Sequence, residues 1–148
     1  MKLFKILWAG AVVLCMSTSC AKLEFKQLST ETEFVAPSLT APGSINLTAS
    51  AVAAQEPVVF SWTVASFGQP AEILYNINAT YSGKSTVLLA RLTGKEYSLT
   101  ADELFEKLLA LGVPQGKAVN IVLSVDCSLG SNFTTLKSAD KSVSAYIE

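Results

Sequence analysis

Apolar and polar residues alternate through Pro57-Val58-Val59-Phe60-Ser61-Trp62-Thr63-Val64, placing Val58, Phe60 and Trp62 on one side and Val59, Ser61 and Thr63 on the other. A period of two marks a strand with one buried face. Trp62 is the only tryptophan beyond the first 19 residues, and its apolar strand neighbours make it the expected centre of a core. The same period returns from Ala71 to Tyr81, with Ile73, Tyr75, Ile77, Ala79 and Tyr81 facing the core and Asn76, Asn78 and Thr80 facing water. Ser82-Gly83-Lys84 separates that run from Ser85 to Leu92, and a tight Gly-containing loop between two alternating runs predicts a β-hairpin.

Further strands are expected at Ser44 to Ser50, where Ile45 and Leu47 share a face, and at Glu96 to Leu99 after the turn Thr93-Gly94-Lys95. Lys117 to Cys127, Thr134 to Lys137 and Ser142 to Ile147 complete the set. One stretch has the helical period instead. Over Ala101 to Leu111, Leu104, Phe105, Leu108 and Leu111 form an apolar stripe, with Asp102, Glu103, Glu106 and Lys107 opposite. Thr100 and Glu103 have the spacing of a capping box, Leu99 and Leu104 that of a hydrophobic staple, and Gly112 and Pro114 end the helix. About seven or eight strands with closely spaced turns and one helix predict an all-β fold: an antiparallel β-sandwich of immunoglobulin or fibronectin type with one crossover helix at about 101–111. Alternating helices, which a parallel α/β sheet would need, are missing from the pattern.

The first 19 residues carry Lys2 and Lys5, then an apolar run from Ile6 to Met16, then Ser17-Thr18-Ser19 ahead of Cys20. That is the layout of a secretory signal, and small residues before a Cys resemble a bacterial lipoprotein cleavage site. The expectation is a signal peptide over 1–19 and lipidation of Cys20, palmitate among the acyl chains; a one-pass anchor or plain secretory leader is the alternative. Residues 20–43, with Pro37 and Pro42 among Ser, Thr, Glu and Lys, are expected to be a flexible tether, leaving 44–148 as the sandwich domain.

Composition narrows the chemistry. With 11 basic and 12 acidic residues in all, and Lys2 and Lys5 in the leader, nothing points to nucleic acid. The chain has no His, which removes the commonest general base and metal ligand. Cys127 shares parity with Ile121, Leu123 and Val125 and reads as an inert core thiol. No catalytic residue, metal site or cofactor is expected. Gly83-Lys84-Ser85 resembles the end of a phosphate loop, but Asn78 stands at the first Gly position and a strand follows where a helix is needed. Ser138-Ala139-Asp140-Lys141 fits S-x-x-K only as a turn between strands. Asn46, Asn78 and Asn132 each begin an Asn-x-Thr triplet and are read as polar strand and loop positions. Phe67, Tyr97 and Phe133 are the weak ligand-binding candidates, because loops or strand ends can leave their rings open for stacking.

The leader ending in Cys20, Leu39-Thr40-Ala41-Pro42, Phe60-Ser61-Trp62, Phe67-Gly68, the block Leu99 to Leu104 with Leu111-Gly112, and Ala145-Tyr146 together resemble the N-terminal domain of SusE-type outer-membrane lipoproteins of Bacteroidota. The resemblance implies a non-catalytic, immunoglobulin-like module, lipid-anchored in the outer membrane and facing the cell surface. Its implied partners are a SusC-like transporter, a SusD-like lipoprotein and polysaccharide such as starch. The family's later, glycan-binding domains have no counterpart here, so a spacer or docking role in a polysaccharide-utilization system is the expectation. A surface adhesin or assembly subunit, binding protein through sheet edges or loops, is the other class to be tested.

Overall fold

The computed structural model describes residues 33–148. Two sheets face each other. Strands β1 (Leu39–Thr40), β3 (Pro57–Trp62) and β6 (Glu96–Thr100) form one, in the order β1-β3-β6. The other runs β2 (Ser44–Leu47), β9 (Lys141–Ile147), β7 (Val119–Ser128), β4 (Leu74–Tyr81) and β5 (Lys84–Leu92), with β8 (Leu136–Lys137) added beside β7. Phe60 and Trp62 point inward from the smaller sheet, as their parity requires, and both are buried. Tyr75, Ile77 and Ala79 of β4 and Ile121, Leu123, Val125 and Cys127 of β7 meet them from the larger sheet, also buried. Trp62 and Tyr75 bring their rings to 5.6 Å between centroids.

The hairpin between β4 and β5 closes on Ser82 and Gly83, both at positive φ (49° and 79°). Two such residues make the turn whose twist matches that of paired strands. The phosphate-loop resemblance at Gly83-Lys84-Ser85 therefore dissolves into a strand turn. Ser138 has a structural use as well: its Oγ accepts the Val125 N–H at 3.0 Å while its own N–H donates to the Val125 carbonyl at 2.8 Å. It continues the ladder beside β7 after β8 has ended, which disposes of the S-x-x-K match.

The crossover helix α2 (Ala101–Leu111) has the bounds expected from its apolar period. Thr100 N–H donates to Glu103 Oε2 at 3.3 Å, the return half of the capping box. At the other end Gly112 takes φ 95°, and Val113 N–H reaches the Leu108 carbonyl at 3.0 Å, a Schellman ending. Leu104, Leu108 and Leu111 are buried while Phe105 is partly covered. The helix packs against β5 of one sheet, β6 and β3 of the other, and β2, so it closes one open side of the sandwich.

Three features depart from the sequence-based expectation. First, β2 and β9 pair in parallel, Ser44 to Ser144 through Leu47 to Ile147, so the sandwich is not wholly antiparallel. The chain leaves the smaller sheet after Thr40 and enters the larger one at Ser44, and this change of sheet at Ala41-Pro42-Gly43 lays β2 along β9. Second, the folded part begins ahead of residue 44. Leu39 is buried and pairs with Trp62, and Val35 bridges to Ser66, so the described part of the expected tether is not a solvated linker. Third, a one-turn helix α1 (Ala49–Ala53) precedes β3, with Thr48 as its N-cap accepting the Ala51 N–H at 3.3 Å. The expected signal peptide (1–19) and Cys20 lie outside the described residues, as does the tether up to residue 32.

Candidate functional site

The three aromatic side chains singled out from the sequence have different surroundings. Phe67 is 1% exposed and meets Phe34 edge-on, with ring centroids 5.2 Å apart. It is a core residue and cannot stack on a ligand, which corrects that expectation: Gly68 makes the turn, and Phe34 covers the ring. Tyr97 is 51% exposed. It pairs with Phe60 and shares its face, but β6 is an edge strand, so half of the ring emerges beside Val59, Glu96 and Ser98 in a shallow depression of about 300 Å³. Phe133 is 46% exposed in the loop between β7 and β8, where its N–H bonds the Gly130 carbonyl at 3.3 Å. Tyr97 thus lies on the smaller sheet and Phe133 in a loop beside the larger one, and no ring contact joins them.

Among the described residues no group of three or more His, Cys, Asp or Glu side chains could hold a metal ion. On the outer face of the larger sheet Asn78 Nδ2 donates to Asp126 Oδ1 at 3.1 Å, and Asn76 Oδ1 accepts the Arg91 N–H at 3.0 Å. Inside, the Tyr75 hydroxyl accepts the buried Ala65 N–H at 3.0 Å, and burial raises its pKa. Cys127 is also buried, and desolvation, helped by the neighbouring Asp126 carboxylate, pushes its thiol up from 9.0 to about 11.

A raised thiol pKa carries a definite sign. The folded state holds the proton more tightly, so this contribution to stability is complete below pH 9.0 and declines as pH rises through about 11. Two measurements follow from it. At pH 8 a disulfide reagent is expected to leave native Cys127 unmodified and to react at once when denaturant is added. Denaturant midpoints of Cys127→Ala and the parent are expected to draw together between pH 9 and 11, after allowance for the constant packing difference. Rapid labelling of Cys127 in the native chain would contradict its burial.

One concavity among the described residues involves none of the nominated rings. A groove of about 670 Å³ lies between β5 and α2, floored by Leu88, Leu89, Ala90 and Leu99 and rimmed by Asp102, Glu103, Glu106 and Lys107. The Thr100 hydroxyl, then nearby backbone N–H groups and Gln55, hold the Asp102 carboxyl below its ordinary pKa; Gln55 Nε2 donates to Asp102 Oδ2 at 3.4 Å. The helical period in the sequence places these residues opposite the apolar stripe. It does not show that β5 runs beside them, because only the docking of α2 brings the two together. The available signal was Leu88-Leu89-Ala90, where a strict alternation breaks down.

Compared with known proteins, residues 24–126 match the model of the SusE outer membrane protein family, a span from before β1 to the seventh residue beyond Val119 in β7. Comparison with curated proteins gave no match, and comparison with solved structures gave none either.

Proposed function

The chain belongs to the SusE outer membrane protein family, and from that membership we propose that it is a non-catalytic, lipid-anchored spacer and docking module of a SusC/SusD-like glycan-uptake system. The observation that carries the proposal is the burial of Phe60, Trp62, Phe67 and Tyr75, at 0%, 4%, 1% and 3% exposure. Rings of this kind are what a sugar-binding surface offers to its ligand. Here they are buried in the core, and among the described residues Tyr97 and Phe133 are the exposed rings that remain for contact with polysaccharide. The solvent-facing features are a hydrogen-bonded polar sheet face and a strand edge beside α2, both suited to contact with protein. Acyl chains on Cys20 would hold the module at the outer membrane, with the domain turned to the cell surface.

Affinity purification from mild-detergent extracts of outer membranes tests the proposal. A SusC-like transporter and a SusD-like lipoprotein are expected to be retained in comparable amounts. Recovery of a fibre subunit or host protein in their place would overturn it in favour of an adhesin or assembly subunit.

A further inference from the structure

We propose that the groove between β5 and α2 receives an extended segment of a partner protein, carrying Lys or Arg side chains towards α2, which joins the larger sheet as an added strand. This deepens the docking role proposed above and rests on it.

The backbone supplies the first reason. In the β4–β5 hairpin Tyr81 and Lys84 flank a two-residue turn and so form a hydrogen-bonded pair. Antiparallel ladders alternate, so the next pair, Thr80 with Ser85, is not hydrogen-bonded, and neither is Asn78 with Val87 two positions on. Ser85 and Val87 therefore direct their N–H and C=O groups away from β4. Among the described residues β5 has no other strand partner.

Sheet edges are usually blunted, and the stretch from Ser85 to Val87, ahead of the first register shift, is not. Lys84 stands at the entrance. The pairing with β4 slips by one residue between Val87 and Leu89 and again between Leu89 and Leu92, and at the far end Arg91 takes a positive φ of 58° with its N–H already bonded to Asn76. Between them Thr86 to Ala90 carries no charged residue, and Val87 is 47% exposed.

The groove's chemistry selects the occupant. Its floor is apolar, while its rim sets the three carboxylates of Asp102, Glu103 and Glu106 against the single ammonium of Lys107. An incoming strand shows alternate side chains to opposite faces, so a segment alternating apolar and basic residues satisfies floor and rim together. A volume of about 670 Å³ suits a short segment.

The test uses a fluorescein-labelled octapeptide of alternating Lys and Val, with a Glu/Val version as control, titrated into the full chain by fluorescence polarisation. Saturable binding of the Lys/Val peptide is expected, with slowed deuterium exchange at the Ser85 and Val87 amides. Glu106→Lys, on an exposed helix position, is expected to weaken binding at least tenfold without lowering the melting temperature by more than a few degrees. Val87→Pro removes an outward-facing donor and is expected to weaken it similarly. Absence of saturable binding, equal affinity for the Glu/Val peptide, or affinity unchanged in the Glu106→Lys chain would overturn the proposal. Membrane partners fully retained by Glu106→Lys would also overturn the groove while leaving the docking role intact; partners absent from the parent chain would overturn the docking role itself.

Discussion

Leu108→Asp is expected to leave the domain unfolded at room temperature. Leu108 is fully buried at the centre of the α2 stripe, between Leu104 and Leu111, where the helix closes one side of the sandwich. Removing a buried leucine side chain costs about 2 to 5 kcal/mol through lost burial and the cavity left behind. A carboxylate in its place adds several kcal/mol more, since it must either ionise without a partner or be held protonated. A domain of this size has about 5 to 15 kcal/mol in total, so the sum takes most or all of it. Leu109→Asp is the control. That neighbour is 41% exposed on the same helix, and its substitution is expected to shift stability by less than about 1 kcal/mol. Far-ultraviolet circular dichroism under urea distinguishes the pair: the first variant should show no folded baseline, the second a transition near that of the parent. A Leu108→Asp transition matching the parent would mean that α2 is not docked.

Cys20→Ser is expected to abolish acylation. Ser17, Thr18 and Ser19 lead to Cys20 just after the apolar run from Ile6 to Met16 has ended. A lipoprotein modification needs the sulfur as its attachment atom, and a serine hydroxyl does not substitute for it. Each acyl methylene placed in the bilayer contributes about 0.8 kcal/mol, so one chain gives marginal attachment and several give a stable one. Labelled palmitate supplied to growing cells is therefore expected to appear in the parent protein and to fall to background in Cys20→Ser. Intact mass of the detergent-extracted parent should exceed that of the chain starting at Cys20 by its acyl groups. Equal label in both proteins would place the attachment elsewhere.

Much of the architecture is legible from short-range pattern, because strand and helix periods impose it directly. Phe60 and Trp62 are buried as their alternation requires, and α2 has the bounds set by Thr100, its apolar stripe and Gly112. What escapes the pattern depends on distant partners. Leu39 sits between Pro37 and Pro42, in a stretch whose composition reads as linker, yet β3 offers it an edge to pair with and a core to enter. An edge strand tolerates nearby prolines because one side of its backbone needs no ladder. The helix α1 is hidden by its length, since a single turn reading Ala-Ser-Ala-Val-Ala cannot display an apolar stripe. Phe67 illustrates the same limit at the level of a site. Beside Gly68 it looks like a loop aromatic, and packing with residues distant in the chain, Phe34 among them, makes it core. The groove beside β5 was equally invisible, being made by two elements with independent sequence signals.

Docking in the outer membrane is tested most directly by cross-linking intact cells with a membrane-impermeant amine reagent and identifying the linked peptides by mass spectrometry. Lys84, Lys95 and Lys107 provide attachment points on the described surface. The expected result is cross-links from these lysines to a SusC-like transporter or a SusD-like lipoprotein. Cross-links confined to fibre or host proteins, or an unmodified chain on cells whose other surface proteins are labelled, would contradict it.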